Sequence, residues 1–302
     1  MPQITVGICV KNAEDTIRET IQSILMQDYP AGLTEIIIVD GNSKDATLSI
    51  IRNLLSKTRV RWRLYSDGGR GLGHARQAVV NHARGRYIIF VDSDVVIRNE
   101  FLREQVEFLN LHPRVGVGLG RYMYEEGKSL LSNTWNLCLS AFPGFVGCAF
   151  SFRKDAVRDA GGFDEQIKGA GEEVELITRI QAKGWESAVT ESAGFYHNHR
   201  WTLRSSWSEH SWFGYSGYYL MCKNRQLFSP LPNLTPGQLV HGFRMASKIH
   251  RATRRKISFL ILPLLVLSSI AWTCGFLQAA GRASEMPDKQ LSAALRTNQA
   301  QS

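Results

Sequence analysis

Residues Tyr87 to Val96 read YIIFVDSDVV, an apolar run closed by two aspartates one residue apart. A run as apolar as Tyr87 to Val91 suits a strand buried on both faces, as in the centre of a parallel sheet. Carboxylates at its end would stand at the carboxyl edge of the sheet, where open α/β sheets bind ligands. Side chains alternate with a period of two along a strand. Asp92 and Asp94 would therefore leave the same side of an extended segment and together could hold a hard divalent cation, Mg²⁺ or Mn²⁺. Mg²⁺ held by one or two carboxylates is completed by substrate phosphates, so the pair predicts a phosphorylated ligand as well as a metal. The same residues also suit a turn in which one aspartate caps and the other faces water.

Four further groups carry chemistry. Asp40 closes the run EIIIVD, and its carboxylate can accept a hydrogen bond from a nucleotide base or ribose. Asp67, Gly68, Gly69, Arg70, Gly71 and Gly73 form a loop whose glycines permit close backbone approach, while Arg70 and Arg76 offer cationic forks to a diphosphate. A solvated connection has the same composition. Glu172, Glu173 and Glu175 suit general-base work, and equally suit the first turn of a helix carrying Ile177 and Ile180, where acids complement the dipole. His197 and His199 offer imidazoles to a Mn²⁺-like ion or simply to surface hydrogen bonds.

Positioning these groups requires a frame, and the periodicity supplies one. Ile4, Val6, Ile8 and Val10 alternate as a strand, and Ile17, Ile21, Ile24 and Leu25 follow at helical spacing. Glu35 to Asp40 is a second strand. Asp45 is placed to cap a helix carrying Leu48, Ile51, Leu54 and Leu55. Val60, Trp62 and Leu64 suggest a third strand, His74 to Ala83 a helix, and Tyr87 to Val91 a fourth strand. Strands alternating with helices imply βαβ crossovers and a mainly parallel α/β sheet, with Asp40, Asp92 and Asp94 at one edge.

With 302 residues, the chain suits one α/β domain plus a tail better than two full domains. Its five cysteines, without CxxC spacing, argue against a disulfide framework or a structural zinc site and fit a reducing compartment. The amino terminus enters a strand almost at once, which leaves no room for a cleavable signal peptide.

Six stretches, VGICVKNAEDTIRETIQSILMQDYP, IIIVDGNSKDAT, GRGLGHARQ, VDSD, FRKDAVRDAGGFDE and GAGEEVEL, resemble in order the signatures of the family 2 glycosyltransferases. The resemblance covers roughly residues 3 to 199. It implies the GT-A fold, a nucleotide-binding α/β sheet joined to a smaller acceptor-binding part. It further implies donor contacts at Val10, Asn12, Glu14, Asp40, Asp67, Gly71, Arg76, Asp92, Ser93 and Asp94, with Asp40 on the base. Asp92 and Asp94 resemble the DxD signature, which assigns Asp94 to the metal that bridges the donor diphosphate and Asp92 to ribose or the metal's water shell. Relatives often supply a histidine as a further ligand, which points to His197 or His199. The position of Glu173 is usually Asp in the family and is the base in enzymes acting on a hydroxyl. Here glutamate reaches one methylene further, with Glu172 as the neighbouring candidate.

The last third changes character. Ile257 to Ala280, ISFLILPLLVLSSIAWTCGFLQAA, carries no charge. At 1.5 Å per residue it reaches about 36 Å, enough to cross a hydrocarbon core about 30 Å thick. Pro263 makes it an awkward buried helix. Lys248, Arg251, Arg254, Arg255 and Lys256 precede it and few cations follow, so the positive-inside bias places the catalytic domain in the cytoplasm of a single-pass membrane protein. The expected organisation is a GT-A domain over residues 1–229, a basic juxtamembrane segment over 230–256 and a transmembrane helix over 257–280. A disordered polar tail over 281–302 completes it. Pro230, Pro232 and Pro236 mark the linker, with Thr235 and Pro236 starting its helix.

The net charge of +9 is then explained by anionic headgroups, and no nucleic-acid-binding motif accompanies it. The aromatic stretch from Trp201 to Tyr219 suits a membrane interface, an acceptor path or core packing. Together these features lead us to expect an inverting, metal-dependent transfer of sugar from a UDP- or GDP-sugar to a lipid-linked saccharide, a glycan or a polyprenyl phosphate. Two other readings remain at this stage, a nucleotidyltransferase and a silent, membrane-tethered binding scaffold.

Overall fold

The computed structural model describes residues 2–141, 147–198, 202–223 and 236–284. The first half follows the alternation read above: β1 (Ile4–Val10), α1 (Ile17–Leu25), β2 (Thr34–Asp40), α2 (Thr47–Leu55), β3 (Arg61–Ser66), α3 (Leu72–His82) and β4 (Tyr87–Val91). There follow β5 (Val95–Ile97), α4 (Phe101–Leu111), β6 (Val115–Tyr122), α5 (Leu130–Ser140), β7 (Ala149–Arg153), α6 (Lys154–Asp159), α7 (Glu172–Ala182) and β8 (Glu186–His197). Three long helices close the described chain: α8 (Leu203–Lys223), α9 (Pro236–Thr253) and α10 (Ile261–Ser284).

The strands form one sheet in the order β3-β2-β1-β4-β7-β6-β8-β5. From β3 to β4 every pairing is parallel, but β7 enters antiparallel between β4 and β6, and β5 runs antiparallel to β8. The sheet is therefore mixed, parallel throughout only in its first half. Both faces of that half are covered, as the unbroken apolar runs require. Ile36, Ile38, Ile89 and Val91 pack with α1, α2 and α4, while Ile37, Val39, Ile88 and Phe90 pack with α3, α6 and α7. Gly7 lets α3 approach β1 closely, since a Cβ there would lie 2.6 Å from Val79 Cγ1. Asp45 lies one residue before the N-cap of α2, where its Oδ1 accepts from the Thr47 amide at 3.1 Å.

Among the described residues, one helix, Lys256–Ala283, is long and apolar enough to cross a membrane. Its first residues form a 3₁₀ turn, and Pro263 falls in the first turn of α10, where a missing N–H costs no hydrogen bond. Helix α10 meets α8 backbone to backbone. A Cβ on Gly214 would lie 1.8 Å from the Trp272 carbonyl, and one on Gly275 1.8 Å from that of Ser211. A third apolar cluster joins α5, α9 and the start of α10 through Leu137, Cys138, Ala246, Ile249 and Ile261. Helix α9 begins at Pro236. Pro230, Pro232 and Thr235, and the tail from residue 285, lie outside the described residues.

Candidate active site

The Asp92–Ser93–Asp94 segment is a turn between β4 and β5, not an extended strand end. Strand alternation therefore does not orient the two carboxylates, and backbone bonds do. The Asp92 amide donates to the Cys148 carbonyl at 2.9 Å, and its carbonyl accepts from Val95 at 3.1 Å. The Asp94 carbonyl accepts from Asn198 at 2.9 Å. Because Val95 pairs with His197 across β5 and β8, the imidazole comes to the turn, with Nε2 3.1 Å from Asp94 Oδ1. Burial pulls this imidazole's pKa down, but the charge and hydrogen bond of Asp94 more than offset it, leaving His197 raised. The sheet thus brings Asp92, Asp94 and His197 to one cavity of about 300 Å³, with Ser93 on its wall. His199 lies outside the described residues.

Opposite the turn, the start of α7 presents Glu172 and Glu173. Glu172 is fully buried and Glu173 is 9% exposed, at the cavity wall. Arg76, on α3 and 2% exposed, lies between the two acidic elements. Its Nη2 is 3.2 Å from Asp92 Oδ1, and its Nε is 2.7 Å from Glu172 Oε1. The guanidinium also lies over the rings of Phe90 and Phe150, at 5.3 and 4.8 Å. The contact with Glu172 is an ion pair without hydrogen-bond alignment. Burial lifts the Glu172 carboxyl well above the usual range; Glu173 adds to this and Arg76 opposes it. Burial likewise pushes Asp92 up to about 7, against Arg76 and with Asp94, although 32% of its side chain faces the cavity. The structure gives Arg76 to these two carboxylates rather than presenting it as an open fork.

The remaining sequence-predicted residues organise loops at the same edge. Asp40 accepts from the amides of Asn42 and Ser43 at 3.1 and 3.2 Å. Val10 ends β1 beside it. Asn12 Oδ1 accepts from Lys44 N at 2.8 Å and Glu14 Oε2 from Ala46 N at 2.9 Å, lacing the loop after β1 to the loop after β2. Asp67 accepts from the amides of Gly69 and Gly71, at 2.6 and 3.1 Å, which shapes the glycine loop. Arg70 turns back on that loop, its Nε donating to the Asp67 carbonyl at 2.9 Å. Gly73 is not in the loop but in the first turn of α3. Its amide donates to Ile167 at 2.9 Å, and a Cβ there would lie 2.2 Å from the Asp164 carbonyl oxygen. This glycine serves close contact within the chain itself. Gly73→Ala is expected to cost about 2–4 kcal/mol through backbone displacement, read as a lower thermal midpoint of the purified protein.

Of the far wall, the sequence offered only Trp212 and Phe213, in the aromatic stretch that suits an acceptor path among other uses. Helix α8 contributes Glu209, His210, Trp212 and Phe213, and α5 contributes Trp135 and Leu139. The aromatic run was visible in the sequence, but only the packing of α8 against α5 and the start of α7 turns it toward the carboxylates. Among the described residues, no group of three or more His, Cys, Asp or Glu side chains forms a ready cage for a metal. The donor set at the turn, two carboxylates and an imidazole against one of them, nevertheless suits a hard cation completed by phosphate oxygens. Cys9 and Cys148 also line the cavity, and burial pushes both thiols up, away from the thiolate form.

A mixed sheet with flanking helices and with carboxylates and a histidine gathered at its edge fits the GT-A architecture, and the sequence agrees. Residues 5–161 match the model of glycosyl transferase family 2, and residues 87–281 match that of glycosyl transferase family group 2. The chain belongs to glycosyl transferase family 2.

It is 31% identical over 219 residues to the succinoglycan biosynthesis protein ExoO of Rhizobium meliloti, covering 65% of this chain and 61% of that one. It is 30% identical over 112 residues to the poly(ribitol-phosphate) β-N-acetylglucosaminyltransferase TarS of Staphylococcus aureus, covering 37% of this chain and 20% of TarS. The chain thus spans less than two thirds of either relative. Among solved structures, a mannosyltransferase from Pyrobaculum calidifontis in complex with GDP-Man and Mn²⁺ superposes with a TM-score of 0.59 at 19% identity, over 97% of this chain and 85% of that one. Residues 1–349 of S. aureus TarS in complex with UDP-GlcNAc superpose with a TM-score of 0.54 at 17% identity, over 94% of this chain and 92% of that one.

Proposed function

We propose that this chain is an inverting, metal-dependent glycosyltransferase that moves a sugar from a UDP- or GDP-sugar to a membrane-associated acceptor. The observation that carries the reading is the single cavity in which the Asp92–Asp94 turn and His197 face Glu173 across Arg76. Asp40, Asp67 and the loops they shape lie along the same edge, where a nucleotide would bind. An acceptor oxygen attacks the anomeric carbon from the face opposite the leaving group. Glu173 takes its proton, and the bond to the nucleoside diphosphate breaks. Asp94, Asp92 and His197 would hold a Mg²⁺ or Mn²⁺ ion, which supplies charge neutralisation for the departing diphosphate. Arg76 keeps Asp92 in place and gives Glu172 its counter-charge, so that Glu173 alone faces the acceptor.

The apolar span of α10 and the cations Lys248, Arg251, Arg254, Arg255 and Lys256 support a cell-membrane location, with the domain on the cytoplasmic side. The test is nucleoside diphosphate release by the detergent-purified chain from a panel of UDP- and GDP-sugars with Mn²⁺, Mg²⁺ or chelator. Release that requires metal and falls about 10²-fold or more in Asp94→Ala is the expected result. Pyrophosphate release would instead establish a nucleotidyltransferase, and nucleotide binding without turnover under any condition a scaffold.

A further inference from the structure

We infer that α8 carries the acceptor subsite and that it takes a neutral saccharide presenting a free hydroxyl, not a phosphate; this rests on the glycosyltransferase reading above. Its cavity face combines flat rings with a fixed polar edge. The His210 imidazole stacks on Trp135, with ring centroids 5.3 Å apart and planes 21° from parallel, and meets Phe213 edge-on at 5.8 Å. Its Nδ1 lies 2.8 Å from the Ser206 carbonyl, which can only accept, so that nitrogen carries a proton and Nε2 remains for a ligand. Trp212, 43% exposed, offers a further ring beside Phe213. A pyranose matches such a wall, with an apolar C–H face against the rings and hydroxyls at its rim.

Charge decides against phosphate. The described lining includes the carboxylates of Asp92, Asp94, Glu172, Glu173 and Glu209 and no lysine. Its one arginine, Arg76, is spent on Asp92 and Glu172. Phosphate recognition calls for arginine or lysine, or for an open helix N-terminus. The first turn of α7 instead carries three acids, Glu172, Glu173 and Glu175. A cation held at the turn would be committed to the donor's diphosphate, and the described lining offers no further cationic side chain for a second phosphate.

The wall and the proposed base also form one unit. The Ala170 amide donates to Ser216 Oγ at 3.1 Å, and Leu220 fills the space over Gly171, immediately before α7. Lys223 pairs with Asp164 and lies 3.7 Å from Glu175. A saccharide seated on α8 is thereby held in register with Glu173.

The experiment reconstitutes the full chain in nanodiscs. It measures nucleoside diphosphate release from the donor panel with added short-chain alkyl glycosides or with a polyprenyl phosphate. Stimulation by a glycoside is expected. Trp212→Ala should raise the glycoside KM about tenfold while nucleoside diphosphate affinity is kept, and Trp212→Phe, which retains a flat ring, should recover most of the loss. Stimulation by the polyprenyl phosphate alone overturns the acceptor class while leaving the transferase standing. An unchanged glycoside KM in Trp212→Ala overturns the subsite. Neither release nor nucleotide binding with any donor would remove the transferase reading itself, and the subsite with it.

Discussion

Glu173→Gln is expected to lower sugar transfer about 10³-fold, within the 10²–10⁴ range of general-base catalysis, while nucleoside diphosphate affinity stays near that of the parent. Glutamine keeps the shape and hydrogen-bonding reach of glutamate but cannot accept a proton at neutral pH, so the substitution isolates the base function from packing. The geometry selects Glu173 over its neighbour. Glu172 has no exposed surface and is paired with Arg76 at 2.7 Å, which makes it the poorer candidate. Glu173 stands at the cavity wall, and Gly147, at φ +128°, leaves it room, since a Cβ there would lie 3.1 Å from Glu173 Oε1. Single-turnover rates at saturating donor and acceptor measure the effect directly, and Glu173→Asp tests whether the extra methylene is needed for reach. A Glu173→Gln enzyme retaining more than about a tenth of parental turnover would mean that no proton must be removed, as for a phosphate acceptor already ionised at neutral pH.

Much of the scaffold behind this site was legible because it is encoded locally. The alternation of Ile4, Val6, Ile8 and Val10 and the runs ending at Asp40 and Val91 mark strands whose ends share an edge, and the structure pairs them in parallel. The second half was not legible in the same way. Whether β7 runs parallel or antiparallel beside β4 depends on how the chain returns, not on the composition of AFSFR. The contact of Arg76 with Glu172 and the placement of His210 and Asp92 on one cavity join residues far apart in sequence. No periodicity within α3, α7 or α8 records which element each will face. The glycine loop shows the same limit from the other side. Its glycines announced close approach, but the partner of Gly73 is the Asp164 carbonyl of the chain itself.

Arg76→Met should destabilise the domain by about 3–5 kcal/mol, the usual consequence of removing one partner from a buried ion pair, and lower the thermal midpoint by roughly 10 °C. The guanidinium is the counter-charge for Glu172 and Asp92, and methionine fills its place over Phe90 and Phe150 without replacing the charge. The loss has a pH signature. Burial and Glu173 already raise the Glu172 carboxyl, and Arg76 is the largest influence opposing them. The folded variant then holds that proton more tightly than the unfolded chain does. Stability from such a group is present below its unfolded pKa and is lost as pH rises toward the folded one. The deficit relative to the parent should therefore be larger at pH 8 than at pH 5.5. Pairing Arg76→Met with Glu172→Gln removes the stranded charge and should recover much of the stability and flatten the pH dependence, without restoring turnover, because Asp92 still lacks its clamp. A deficit independent of pH would assign the loss to packing around the two phenylalanines instead.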